Sequence, residues 1–153
     1  MEKILVSGCL FGWHCRYDAV DCPCLDERFI KWKNEGILIA ICPEVFGGLP
    51  TPRPDSQRVE NKVLSCTGLD VTEEYEAGAK EALRLARENN VICCIMKQDS
   101  PSCGSQYIYD GKFTDTKIEG NGRATELLKE GGFKVFDENQ IDEAEKFLLE
   151  KEI

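Results

Sequence analysis

The chain has 153 residues, of which 42% are hydrophobic, and a formal net charge of −9 at pH 7. This length predicts about one domain with a substantial core. The acidic charge disfavours nucleic acid and anionic membranes as partners, so a small molecule is expected. No apolar run approaches the roughly 20 residues that span a bilayer, and no secretory cleavage pattern occurs, so we expect a cytoplasmic location.

Apolar runs alternate with helical patterns along the chain. Four apolar runs predict buried strands, at residues 3–7, 37–42, 91–97 and 133–136. Helices are predicted at about 26–34, at 73–89 with Thr72 as N-cap, near 125–129 and from 141 onward. Asp110-Gly111 lies between two alternating segments of 105–118, which indicates a β-hairpin. The pattern predicts a single three-layer α/β domain over 1–153, Rossmann-like, with a mostly parallel sheet, helices on both faces and a small β-hairpin insertion.

Nine cysteines are the most informative feature of the sequence. Cytosolic thiols stay reduced and serve metal binding or catalysis, or they pack as small hydrophobic groups. Cys9, Cys42 and Cys103 each come at or just after the end of a predicted strand. Because ligands bind outside the carboxyl ends of parallel strands, we expect these three thiols to converge in one crevice. Glycine and proline beside all three cysteines favour loops built for a site over ordinary turns.

Three converging thiols suit an iron–sulfur cluster better than a closed zinc site. A closed zinc site needs four ligands, usually in two close pairs, and neither Cys22 with Cys24 nor Cys93 with Cys94 has that spacing. Cluster ligands can come from distant positions, and three protein ligands leave one iron open for chemistry. His14 is the only histidine, so a histidine-rich metal site or Cys–His catalysis has little support.

Three segments resemble one known family. They are CLFGWHCRYD at 9–18, CPEVFGGLPTPR at 42–53 and SPSCGSQYIYDGKF at 100–113. Over nearly its whole length the chain resembles the thiouracil desulfidases, a family of iron–sulfur proteins. The resemblance implies a [4Fe-4S] cluster held by three cysteines, with the fourth iron free to bind the sulfur of a thiolated pyrimidine. Strand topology selects Cys9, Cys42 and Cys103 as the ligands; Cys15 also matches a family position and is the alternative ligand or a lining residue.

The activity that the resemblance implies is hydrolysis of a thiocarbonyl C–S bond, without redox chemistry, to give an oxo-pyrimidine and hydrosulfide. Such an enzyme is a desulfidase, classed as a hydrolase or lyase. Glu44, two residues after Cys42, is the expected catalytic carboxylate that activates water. Ser100 and Ser102 both precede Cys103, and the resemblance favours Ser100 as the second catalytic residue, which binds the pyrimidine or relays a proton. Thiouracil and 4-thiouridine types fit equally; tRNA thiouridine stays open, although the acidic charge favours a small substrate.

Two other functions stay open at this point: a non-catalytic iron–sulfur binding or sensing module, and a zinc-stabilised structural domain. Cys93 and Cys94 are consecutive on a predicted strand, so they are expected to point to opposite faces and to be structural. Arg53 is expected either to contact substrate or to form a surface salt bridge. Cys22 and Cys24 are left without a role, as spare ligands, a redox pair or incidental thiols.

Overall fold

The computed structural model describes residues 2–151 as alternating strands and helices. In chain order the elements are β1 (Ile4–Ser7), α1 (Gly8–Phe11), α2 (Glu27–Asn34), β2 (Leu38–Ile41), α3 (Pro43–Phe46), β3 (Ser56–Val59), β4 (Lys62–Ser65), α4 (Thr72–Glu88), β5 (Cys93–Met96), β6 (Tyr107–Tyr109), β7 (Lys117–Glu119), α5 (Arg123–Glu130), β8 (Val135–Asp137) and α6 (Ile141–Lys151). The central sheet has four parallel strands in the order β2-β1-β5-β8. Across residues 2–151, none of the helices has the length and apolar character needed to cross a membrane.

Helices cover both faces of the sheet. Successive strand residues point to opposite sides, so apolar side chains on both faces must be buried against helices. On one face Cys93 packs in a buried cluster with Phe29 of α2 and Leu148 of α6. On the other face Cys94 packs in a second cluster with Leu128 of α5 and the alanines of α4. The predicted three-layer α/β architecture is therefore confirmed, and so is the prediction that the two adjacent thiols serve opposite cores.

The start of α4 differs from its prediction. The strands of the sheet and the longer helices lie where the sequence predicts them, with small shifts at their ends. Thr72, however, is the first helical residue, and Val71 precedes the helix. The Thr72 hydroxyl accepts a hydrogen bond from the Val63 backbone N–H at 2.9 Å, while the Thr72 N–H donates to Asp70 at 2.9 Å. The predicted N-cap is wrong because β4 takes up the hydroxyl that would have capped the helix.

Two antiparallel hairpins stand beside the sheet and form part of the site described below. The pair β6–β7 confirms the predicted hairpin, but a loop over 110–116 joins its strands in place of a tight Asp110-Gly111 turn. The pair β3–β4 was not predicted. Gln57 of β3 accepts hydrogen bonds from the backbone N–H groups of Gly111 and Phe113, at 2.9 and 3.2 Å. The two hairpins therefore support each other.

The short helix α1 begins directly after β1, and the short helix α3 begins one residue after β2. Close contact between α3 and α4 depends on Gly78, where a Cβ atom would lie only 1.8 Å from the Pro43 carbonyl oxygen. Gly47 lies equally close to α4, since a Cβ there would be 1.9 Å from the Glu74 carbonyl oxygen. Any larger residue at either position would push α3 away from α4. This packing sets where the residues that begin α3 stand relative to the sheet.

Candidate active site

A cavity of about 260 Å³ lies at the carboxyl ends of β1, β2 and β5. Its walls come from the loops that follow these strands and from both hairpins. The cavity stands where parallel α/β sheets bind their ligands. The structure brings all five predicted site residues to its lining: Cys9, Cys42, Cys103, Glu44 and Ser100.

Four thiols surround this cavity, and each comes from a different part of the chain. Cys9 belongs to α1, Cys42 is the residue before α3, and Cys103 lies in the loop after β5. Cys15 follows α1 and lines the same space. All four are buried, with 5% to 9% of their surface exposed, and the Cys42 thiol stands 3.5 Å from the Cys15 carbonyl oxygen. The expected convergence of the strand-end cysteines is confirmed, with Cys15 beside them.

The four thiols differ in how readily they ionise. Burial raises the pKa of Cys9 to about 12, and burial also raises the pKa of Cys103. A hydrogen bond between the thiols of Cys15 and Cys42 lowers the pKa of Cys42 to about 7 and raises the pKa of Cys15. The thiolate is the form that binds metal, and the hydrogen bond shared by Cys15 and Cys42 favours one thiolate within that pair. Cys9 and Cys103 would ionise only when a bound cation stabilises their buried thiolates.

This set of donors fits an iron–sulfur cluster. In the part of the chain from 2 to 151, no three His, Cys, Asp or Glu side chains are grouped closely enough to hold a single metal ion. Thiolates that bind different irons of one cluster stand further apart, around a cavity rather than around a point. The buried, reduced thiols of this protein come from several loops and surround a cavity in this way. Which three of Cys9, Cys15, Cys42 and Cys103 would bind iron stays a prediction.

Glu44 stands next to the thiols as a buried carboxylate held from two sides. Its side chain is 14% exposed and pairs with Arg53, whose side chain is only 4% exposed. Arg53 Nε and Nη2 donate to Glu44 Oε1 at 3.1 and 3.0 Å. The other oxygen, Oε2, accepts a hydrogen bond from the Ser102 hydroxyl at 2.9 Å. Of the two expectations for Arg53, the salt bridge is present, but it is buried inside the site instead of lying on the surface.

Arg53 also joins separate loops around the site. Its Nη2 donates to the Cys15 carbonyl oxygen at 2.9 Å, and its Nη1 donates to the Pro50 carbonyl oxygen and the Thr51 hydroxyl at 3.1 and 3.0 Å. The rigid fork of a guanidinium can satisfy several acceptors at once, which an ammonium group on a flexible stem does less well. Arg53 therefore fixes the loop that carries Cys15 relative to the carboxylate of Glu44.

Several lining residues were missed by sequence reasoning. Tyr75 of α4 is buried against the site, and its burial, together with the charge of Glu44, raises the pKa of its phenol. Gln57 belongs to the unpredicted hairpin, and Lys97 follows β5 and pairs with Glu138 at 2.7 Å. For Tyr75 the sequence carries no signal, because it falls on the apolar face of a helix. For Gln57 the segment 56–65 (SQRVENKVLS) shows no alternation of apolar and polar residues, so the sequence gives little sign of its strand.

Cys22 and Cys24 do not line the cavity in the described part of the chain. The backbone N–H of Cys22 donates to the Cys9 carbonyl oxygen at 3.2 Å, and that of Cys24 donates to the Leu10 carbonyl oxygen at 2.9 Å. Their half-buried side chains pack against the same core cluster as Cys9. These contacts hold the segment around the two cysteines against α1.

The fold and the cavity define a class of protein: a parallel α/β domain whose strand-end cysteines are placed to hold a metal cofactor beside a buried carboxylate. Comparison with known proteins makes this specific. The chain belongs to the 2-thiouracil desulfurase family, whose model matches residues 4–140. The family prediction made from the three sequence motifs is thus confirmed.

Two relatives span almost the whole chain. The first is the "Uncharacterized protein YbbK" of Bacillus subtilis (strain 168), 38% identical over 150 residues that cover 92% of this chain and 98% of that protein. The second is a solved structure of the [4Fe-4S]-dependent thiouracil desulfidase TudS, with a TM-score of 0.92 and 43% identity. That match covers 94% of this chain and 95% of the other. The similarity to TudS supports the α/β fold, the iron–sulfur cofactor and the desulfidase activity together.

Proposed function

We propose that this protein is a [4Fe-4S]-dependent desulfidase that replaces the sulfur of a thiolated pyrimidine by oxygen and releases hydrosulfide. The observation that carries this proposal is the meeting of Cys9, Cys42 and Cys103 with the buried carboxylate of Glu44 around one cavity. The family and the similarity to TudS support the same reaction. The net change is a thiocarbonyl and water giving a carbonyl, hydrosulfide and a proton, with no oxidant or reductant.

Cys9, Cys42 and Cys103 would hold the cluster, and Cys15 is the alternative ligand. When bound, such a cluster supplies a Lewis-acidic iron for the thiocarbonyl sulfur. The four cysteines are buried, which keeps bulk water away from their thiols and strengthens the electrostatic interactions inside the site. Arg53 holds the Cys15 loop in place through its hydrogen bond to the Cys15 carbonyl oxygen.

Glu44 is the general base in this proposal. Its carboxylate takes a proton from the water that attacks the ring carbon bearing the sulfur. Hydrogen bonds from Arg53 and Ser102 fix the direction in which its remaining lone pairs point. Ser100, whose hydroxyl stands 2.9 Å from that of Ser102, completes the same hydrogen-bond network. The catalytic pair Glu44 and Ser100 is therefore retained as a proposal.

The substrate class is a thiolated pyrimidine of the thiouracil or 4-thiouridine type. Tyr17, Asp55, Gln57 and Tyr109 line the same cavity and offer hydrogen-bonding groups for ring N–H and carbonyl groups. The net charge of −9 favours a small substrate over tRNA. Tyr109 and Gln57 belong to the hairpins, so substitutions at these two residues would change which pyrimidine fits the cavity. The cytoplasmic location stays a prediction.

The experiment that tests the function is anaerobic reconstitution with iron and sulfide, followed by an assay for hydrosulfide release. The panel contains 2-thiouracil, 4-thiouracil, 4-thiouridine and tRNA that carries 4-thiouridine. We expect a brown, oxygen-sensitive protein that releases hydrosulfide from at least one small member of the panel. A cluster-loaded protein that leaves every member intact would favour a binding or sensing module. About one zinc per chain without labile sulfide would favour a structural domain.

A further inference from the structure

The two serines that flank Pro101 make different contacts, although they lie close together. The Ser102 hydroxyl is 2.9 Å from Glu44 Oε2, whereas the Ser100 hydroxyl is 3.5 Å from the same atom. The two hydroxyls are 2.9 Å apart. Both line the cavity, but Ser102 is only 2% exposed. The shorter contact with the catalytic carboxylate thus belongs to the serine that the family resemblance did not favour.

Ser100 is occupied by the backbone of its own loop. Its hydroxyl oxygen accepts hydrogen bonds from the N–H groups of Ser102 and Cys103, at 3.1 and 3.2 Å. A serine oxygen has two acceptor sites, and these two bonds use both of them. Serine side chains commonly close tight turns in this way. The Ser100 hydroxyl therefore stabilises the turn that brings the Cys103 thiol to the cavity.

Ser102 faces the carboxylate from the side opposite Arg53. Arg53 donates to Glu44 Oε1 from the loop that follows α3, and Ser102 donates to Oε2 from the loop that follows β5. A carboxylate with a donor on each oxygen, each from a different segment, cannot rotate without losing a hydrogen bond. The Ser102 hydroxyl has two other neighbours, the Ser100 hydroxyl at 2.9 Å and the Cys103 thiol at 3.5 Å, but its bond to Glu44 is the one that holds Oε2 in place.

We propose that Ser102 is a positioning residue that aims the Glu44 carboxylate, and that Ser100 holds the Cys103 loop in the shape needed for ligation. This division of roles rests on the proposed desulfidase function. It adds Ser102 to the proposed catalytic pair of Glu44 and Ser100 as a positioning residue, and it gives Ser100 a second role in retention of the cofactor. The two assignments give different readouts, because turnover and iron content are measured separately.

The test compares S102A, S102T and S100A in anaerobically reconstituted protein, with T114A as a control that removes an exposed hydroxyl. For S102A we expect kcat to fall by about 10- to 100-fold, the usual cost of a misplaced catalytic group, with KM and iron content near wild type. S102T keeps the hydroxyl and is expected to recover most of the lost kcat. S100A is expected to retain less iron and labile sulfide than wild type. T114A should match wild type in every readout.

If the added methyl group of S102T disturbs the buried site, a double-mutant cycle still tests the Ser102–Glu44 contact. In the E44Q background, S102A should cause little further loss of kcat, because the group that Ser102 aims is already replaced. Independent losses that multiply would overturn the assignment. So would an S102A protein with wild-type kcat, or one that loses its iron. S100A with full iron content would overturn the assignment of Ser100.

The same cycle separates failure of this inference from failure of the proposed function. If wild-type protein with a full cluster turns over no thiolated pyrimidine, the desulfidase proposal fails. The Ser102–Glu44 contact is then read from urea unfolding of wild type, S102A, E44Q and the double variant. Non-additive unfolding free energies support the contact, and additive ones contradict it.

Discussion

The protein buries cysteines in two regions, the middle of the sheet at β5 and the carboxyl end of the sheet. Cys93 and Cys94 in β5 are completely inaccessible and pack among aliphatic and aromatic side chains, one on each face of the sheet. Cys9, Cys42 and Cys103 are almost as inaccessible, but they surround open space at the end of the sheet. Burial raises the pKa of both strand thiols, to about 12 for Cys93. Burial alone therefore does not tell a structural thiol from a ligand.

The groups around each thiol distinguish a proposed ligand from a structural thiol. Around the cavity stand a buried ion pair, two serine hydroxyls and loop carbonyls, and the Cys42 thiol shares a hydrogen bond with Cys15 that lowers its pKa. Among residues 2–151, no comparable polar partner acts on Cys94, and both burial and the charge of Cys93 raise its pKa. Polar groups taken out of water cost free energy unless they are paired, so their concentration in one place marks a site with a function. The predictions below test this contrast.

The largest expected effect is loss of the cofactor on removing a cavity thiol. C42A should bind little iron or labile sulfide after reconstitution and should release hydrosulfide only at background rate, because one of the three proposed cluster ligands is gone. Iron and sulfide analysis with visible absorbance checks this, with C66A, which removes an exposed thiol, as the control. Full iron in C42A but not in C15A would show that Cys15 is the ligand in its place.

Removing the charge of Glu44 should stop the chemistry while leaving the cofactor bound. E44Q preserves the shape of the side chain but cannot take a proton from water. Turnover should fall by about 10²- to 10⁴-fold, the usual contribution of a general base. Iron content should equal that of wild type. If E44Q keeps wild-type turnover, another group activates water and the proposed role of Glu44 is wrong.

Much of this contrast was predictable from sequence, because strand positions depend on local apolar runs. Cys42 ends such a run, while Cys9 and Cys103 lie in the segments just beyond one. The strand-end rule brings the three together without knowledge of strand order. The opposite orientations of Cys93 and Cys94 follow from the period of a strand alone. These are the parts of the site that depend on short segments.

The rest of the site depends on packing between segments distant in sequence. Tyr75 reaches the cavity because α3 lies against α4 at Gly47 and Gly78, a contact that no local pattern encodes. The burial of Arg53 similarly requires the Cys15 loop and α3 to meet around it. The cap predicted at Thr72 failed because a backbone N–H of β4, at Val63, donates to its hydroxyl, a contact between elements that the helical pattern does not encode.

The buried ion pair should make Arg53 a large contributor to stability as well as to the site. R53M leaves the Glu44 carboxylate buried without its partner, which typically costs about 3 kcal/mol of unfolding free energy. R53K keeps the charge but not the fork that reaches Glu44 and the Cys15 carbonyl together, so its loss should be smaller. Urea unfolding measures both variants. Wild-type stability of R53M would mean that the pair contributes nothing net to folding.

The smallest expected effects come from the thiols of strand β5, which contribute only to packing. C94A removes one sulfur atom from a filled core and should cost about 1 kcal/mol of unfolding free energy. C94S is nearly isosteric but buries a hydroxyl among aliphatic groups, so it should cost about 1–3 kcal/mol. Both variants should keep full iron content and turnover. If C94S instead lost iron while remaining folded, the two sets of cysteines would be coupled through β5, and buried thiols could not be divided by their neighbours alone.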